Sequence, residues 1–133
     1  MSNRFKKSRD SNHASIQKSL EKCGVSVADL SGNGGGCPDI ATYWNGQTVW
    51  IEIKVGNTSH VENSQLKFFS KWKGYCGIAQ NFEQAREMAK YPNQHVLTSA
   101  EKLKISQHLV KFPSDRITVK RFYEVIGREV KII

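Results

Sequence analysis

Asp39-Ile40-Ala41-Thr42-Tyr43-Trp44 and Gln47-Thr48-Val49-Trp50-Ile51-Glu52-Ile53-Lys54-Val55 are two strand-like runs separated by Asn45-Gly46. Asn-Gly between such runs predicts a hairpin, because a type I′ turn needs positive φ at both central residues. With a two-residue loop Trp44 faces Gln47, and the same register sets Tyr43 opposite Thr48, Ala41 opposite Trp50 and Asp39 opposite Glu52. Alternation places Val49, Ile51, Ile53 and Val55 on one face, with Trp50, Glu52 and Lys54 on the other. Asp39, Glu52 and Lys54 therefore converge.

Facing carboxylates, with Cβ atoms roughly 5 Å apart, destabilise a sheet. A divalent cation between them removes the conflict, and Mg²⁺ is commonly held by one or two carboxylates with water and phosphate completing its shell. Lys54 then either orients or helps to deprotonate an attacking water, or neutralises charge developing on a phosphoryl centre. Those are the parts for phosphodiester hydrolysis. In the competing reading the acids splay into solvent and Lys54 is an ordinary cross-strand partner; hairpin geometry alone leaves both open.

Working outward, Asp10 or Ser11 caps a first helix that runs to about Cys23 and is stopped by Gly24, with Ile16, Leu20 and Cys23 as its apolar stripe. Val25 to Leu30 reads as a strand, followed by a loop from Ser31 to Gly36. After the hairpin a helix is expected from about Ser64 to Lys73, capped by Asn63 or Ser64 and stopped by Gly74. Tyr75 to Gln80 reads as a strand and Phe82 to Lys90 as a helix, with Phe68, Phe69 and Trp72 as core. In the tail, Leu103, Ile105, Leu109 and Phe112 suit a helix broken at Pro113, with a second helix or a strand beyond Arg116. The predicted architecture is α/β: a mixed central sheet flanked by helices in αβββαβα order, with a basic arm at 1–9, a core at 10–91 and a basic extension at 92–133.

The 133 residues carry 20 Lys plus Arg against 12 Asp plus Glu, a formal net charge of +8, which suits one domain with a polyanionic partner. No apolar run reaches the roughly 18 residues that span a bilayer, and the basic N-terminus leads into no apolar h-region, so a cytosolic protein is expected. Cys23, Cys37 and Cys76 lack metal-knuckle spacing and read as idle thiols.

The ordered set Gly34-Gly35-Gly36, Pro38-Asp39, Glu52-Ile53-Lys54, Gln65, and Trp72 with Gly74, preceded by a helix carrying Ile16-Gln17, resembles the PD-(D/E)xK nuclease signature. The closer similarity is to small phage-type VRR-NUC domain proteins, which resemble archaeal Holliday-junction resolvases, and it runs from about Arg9 to Lys90. The resemblance implies a restriction-endonuclease-like core. It also implies metal binding by Asp39, Glu52 and the backbone carbonyl of Ile53, with Lys54 serving the water and Gln65 contacting the site. Mg²⁺ is the implied cofactor, with Mn²⁺ able to substitute, and the implied activity is endonucleolytic cleavage of branched or structured DNA by a homodimer. The rivals are a nicking or restriction-like endonuclease acting on duplex, and a catalytically silent DNA-binding module.

One position departs from the family, whose first helix usually points a glutamate at the metals. The matching residues here are His13 or Ser15. Glu21 lies about 140° from Ile16 around the helix, on its outward side, whereas His13 lies about 60° away on the inward stripe. His13 is accordingly read either as a site neighbour or as a capping or core histidine. Arg4, Lys6, Lys7 and Arg9 of the arm, with Lys67 and Lys71 of the Gln65 helix, are candidate phosphate contacts, the helix lysines otherwise being a solvated face. Gly34, Gly35 and Gly36 either admit a phosphodiester backbone or form a plain connector. Glu62 is an outlying candidate metal ligand.

Overall fold

The Asn45-Gly46 turn forms as its chemistry requires, with φ of +50° and +83°. In the computed structural model, which describes residues 11–129, it joins β2 (Ile40–Trp44) to β3 (Gln47–Ile53) with Trp44 paired to Gln47 and Ala41 to Trp50. β1 (Ser26–Asp29) adds antiparallel to β2. Two short elements, β4 (His60–Val61) and helix α2 (Asn63–Lys71), then carry the chain to β5 (Tyr75–Ala79), which pairs parallel with β3. The result is a mixed four-stranded sheet in the order β1-β2-β3-β5.

Helices cover both faces. Helix α1 (Ser11–Lys22) and helix α3 (Phe82–Lys90) lie on the Val49 and Ile51 face, where Ile16, Leu20, Ala85 and Met88 pack with Ile40. Ile16 and Leu20 of the predicted α1 stripe are buried and Glu21 is exposed, whereas Cys23, the third predicted member, lies just past the helix end and is only half-buried. A left-handed Gly24 ends this helix, and Val25 N–H reaches back to the Leu20 carbonyl at 3.1 Å. Asp10, one of the two candidate caps, lies outside the described residues, and Ser11 is already helical.

The opposite face is covered by α2 and by the chain beyond residue 91. A short helix α4 (Pro92–His95) leads to α5 (Ser99–Lys111), which ends before Pro113. Beyond Arg116 the chain forms both a strand and a helix: β6 (Ile117–Thr118) pairs with β4, and α6 (Val119–Ile126) follows. Leu97, Ile105, Val119, Phe122 and Ile126 pack with Leu66 and Phe69 of α2 over Cys76 and Ile78. Phe69 is buried, while Phe68 and Trp72 stack with a 5.0 Å centroid separation as a half-buried lid over Trp50. Burial raises the Cys76 thiol to about 11, which makes it inert.

Two boundaries of α2 differ from the sequence reading. Its N-cap is Glu62 rather than Asn63 or Ser64, because Gln65 at the third helical position reaches back to the Glu62 backbone N–H at 2.9 Å. Its C-cap is Trp72, so the helix ends at Lys71, two residues before the expected Lys73. There Lys102 Nζ donates to the carbonyls of Trp72 and Gly74, ligands that only the tertiary fold supplies. Among the described residues no helix is long and apolar enough to cross a membrane.

The final turn is clamped by Arg128, whose guanidinium meets Glu101 at 2.5 and 2.8 Å and donates to the carbonyls of His95 and Val96. Burial raises the Glu101 carboxyl, but the hydrogen bonds and charge of Arg128 outweigh it and hold the group below the ordinary glutamate range. A lowered carboxyl stabilises the fold above its unfolded pKa and loses that contribution as pH falls through the folded value. Arg128→Met should therefore melt a few degrees below the parent at pH 7, and the gap should narrow below about pH 4; a pH-independent gap measured by thermal melts would contradict this. Phe122→Ala should cost about 3–5 kcal/mol in denaturant titrations, the range for emptying a buried aromatic site.

Candidate active site

Ile40 and Ile51 are the last pair of the β2–β3 ladder, and one further step of that register sets Asp39 against Glu52. Asp39 Oδ2 accepts the Ile53 backbone N–H at 2.9 Å, which ties the carboxylate to the neighbouring strand, while the Asp39 carbonyl accepts from Leu30 at 2.7 Å. In extended backbone a residue's C=O points to the same side as its N–H, so the Ile53 carbonyl also faces the Asp39 side of β3. Lys54 N–H turns the other way, to Ala79 on β5, at 3.0 Å.

The acids do not splay into solvent: Asp39 is 2% exposed and Glu52 0%. Glu52 Oε2 lies 3.2 Å from Lys54 Nζ and accepts from Gln65 Nε2 at 2.8 Å. The Gln65 amide is held at both ends, its oxygen by the Glu62 N–H and its nitrogen by Glu52, which fixes which way round it sits. Glu52, Lys54 and Gln65 are thus joined directly, and the hairpin adds Asp39.

Helix α2 is seated by the glycine loop. Gly34, Gly35 and Gly36 all have positive φ, of 68°, 65° and 85°. A Cβ on Gly34 or Gly35 would meet open space, but one on Gly36 would stand 2.2 Å from the Ser64 carbonyl oxygen and 3.1 Å from the Gln65 nitrogen. Gly36 therefore has a packing reason of its own: it lets the loop before Asp39 lie against the backbone that carries Gln65.

The other candidates sit on other elements or at other positions of α2. His13 is buried on α1, whose stripe packs on the sheet face opposite that bearing Trp50 and Glu52, and Ser15 is exposed. Lys67 and Lys71 are exposed on α2. Glu62 serves as the α2 cap, half-exposed and 3.9 Å from Arg116. Arg4, Lys6, Lys7 and Arg9 lie outside the described residues. Gln80 and Asn57, joined by a 2.7 Å hydrogen bond beyond the strand ends, belong to no sequence motif; the one local signal is a polar residue closing the apolar run Tyr75–Ala79.

Among the described residues no three or more of His, Cys, Asp and Glu cluster as a metal cage. The two carboxylates and the Ile53 carbonyl form an all-oxygen donor set, which suits a hard cation that keeps several waters, as Mg²⁺ does. The chain matches no family model, no curated protein and no solved structure.

Gly36→Ala should destabilise the fold by at least about 1–2 kcal/mol from its left-handed backbone alone, with the Ser64 clash adding to that. Gly34→Ala bears only the conformational part. Equal denaturation midpoints for the two variants would rule out the close approach at α2.

Proposed function

We propose that this chain is a metal-dependent DNA endonuclease with a restriction-endonuclease-like core, acting on branched or otherwise structured DNA. The observation that carries the reading is the buried junction of Lys54, Glu52 and Gln65, with Asp39 one register step away. A module that only binds DNA has no use for two facing acids in one hairpin, an arrangement that costs stability. The preference for branched DNA comes from the resemblance to resolvases, and a two-fold homodimer suits the symmetry of a four-way junction.

Asp39, Glu52 and the Ile53 carbonyl would hold Mg²⁺ or Mn²⁺. When bound, such an ion neutralises phosphate charge and lowers the pKa of an attacking water. The chain's own residues set the geometry around that chemistry. Ile53 N–H fixes the direction of the Asp39 carboxylate, and Gln65 fixes that of Glu52. Lys54 presents three N–H donors at the same rim, able to hold a water or a phosphoryl oxygen and to offset charge that develops there. The net charge of +8 draws the polyanion, and exposed cations such as Lys67 and Lys71 are available to phosphates.

Labelled four-way junction, linear duplex and single strand should be incubated with Mg²⁺, Mn²⁺ or EDTA. Cutting of the junction that EDTA abolishes is expected. Asp39→Ala, Glu52→Ala and Lys54→Ala should each slow it at least about 100-fold, with DNA affinity kept, since affinity comes mainly from phosphate contacts. Equal cutting of duplex and junction would point to a duplex nuclease, and cutting under no condition to a silent binder. Mg²⁺ should also raise the melting temperature of the parent and leave Asp39→Ala unmoved, because a ligand stabilises only the state that binds it.

A further inference from the structure

We propose that Gln80 is a positioning residue of this site, whose side-chain oxygen receives the Lys54 ammonium when that group moves off Glu52. The inference rests on the nuclease reading of Asp39, Glu52 and Lys54. In the parallel β3–β5 register Glu52 pairs with Ile78 and Ile53 with Ala79. The Lys54 N–H to Ala79 bond continues that ladder, so the next step sets Lys54 beside Gln80. Cys76 and Ile78 point to the sheet face that bears Trp50, and alternation turns Gln80 to that same face, with Glu52 and Lys54.

Gln80 is 2% exposed, unusually buried for a polar strand end. Its Nε2 donates to Asn57 Oδ1 at 2.7 Å, and its backbone N–H donates to Gln84 Oε1 at 2.8 Å. Its Oε1, by contrast, is fully buried and accepts no hydrogen bond among the described residues. With Asn57 set as it is, turning the Gln80 amide alone would bring its oxygen against Asn57 Oδ1 and lose that bond, so Oε1 is the end directed away from Asn57. A buried acceptor left unsatisfied is costly, and such groups call for an explanation. Because the oxygen is sealed from bulk solvent, a donor on a neighbouring element is the partner to seek.

Lys54 is the donor at hand. Its side chain is 13% exposed and is held 3.2 Å from Glu52 Oε2, the oxygen that Gln65 also engages. Once Glu52 is occupied by a cation its hold on the ammonium weakens, and Gln80 Oε1 offers a fixed neutral acceptor one strand away. Gln80 thereby keeps Nζ at the rim instead of letting it swing into solvent. Asn57, whose carbonyl accepts the Lys120 N–H at 3.0 Å, anchors the amide from the far side.

Two variants separate this role from simple packing. Gln80→Leu removes both polar atoms, whereas Gln80→Glu keeps an oxygen and loses the donor to Asn57. Single-turnover cleavage should fall about 10–100-fold in Gln80→Leu, the usual effect of losing a group that orients a reacting one. Gln80→Glu should stay close to the parent, and DNA affinity in EDTA should be unchanged in both. If Gln80 only anchors the Asn57 loop, Gln80→Glu will be as slow as Gln80→Leu, and the proposal fails. A readout independent of cleavage is ¹⁵N NMR of the Lys54 ammonium in Glu52→Gln, which removes the carboxylate. An exchange-protected signal should persist there and vanish on adding Gln80→Leu; a signal indifferent to Gln80 would overturn the inference. A parent that cuts no DNA with Mg²⁺ or Mn²⁺ would sink the nuclease reading, while the NMR comparison still decides whether Gln80 receives Lys54.

Discussion

The register of the β2–β3 hairpin is the constraint from which the site follows. Because side chains alternate with a period of two, a slip of one residue would turn Glu52 and Lys54 to the α1 and α3 face and bring Val49, Ile51 and Ile53 to the α2 face. The Asn45-Gly46 turn prevents this by closing the loop at two residues, with both φ angles positive. Burial reinforces it, since Ile40 against Ile51 and Thr42 against Val49 are buried on one face. Asp39 and Glu52 meet because the neighbouring pairs are stable, and in spite of their own repulsion.

Buried carboxylates need partners fixed in advance, because desolvated charge is expensive. Here the support comes from two places in the chain, the end of β3 and helix α2. Lys54 lies two residues along the same strand, Gln65 sits on a helix, and the Ile53 backbone holds Asp39. The helix is itself located by Gly36, where the absence of a Cβ lets two backbones lie close together. Gln65 has a double task, closing the α2 cap through its oxygen and orienting Glu52 through its nitrogen. Capping and site geometry therefore stand or fall together at this residue.

The segment beyond residue 91 is structural as well as basic. Phe122, Ile126 and Ile105 complete the core over Cys76 and Ile78 on the face that bears the site. Lys102 closes the end of α2, and Arg128 ties the last turn to α4 and α5. The helix that carries Gln65 is thus braced on its far side by residues some forty to sixty positions later in the chain.

Much of this was legible in local sequence. The Asn-Gly turn, the period-two alternation and the 3.6-residue stripe of α1 give the hairpin register, the convergence of Asp39, Glu52 and Lys54, and the burial of His13 beside Ile16, since each depends on residues only a few positions apart. Helix α3 has its sequence-predicted bounds for the same reason, with Asn81 capping through its own side chain. Tertiary structure alone decided that Lys102 closes the end of α2, that Gly36 abuts Ser64, that Arg128 clamps Glu101, and that the Gln80 amide oxygen is sealed inside the fold. The packing of each of these is set by a partner distant in sequence or by the path of another element, and residue types and spacings carry no record of which remote backbone will come to lie against them.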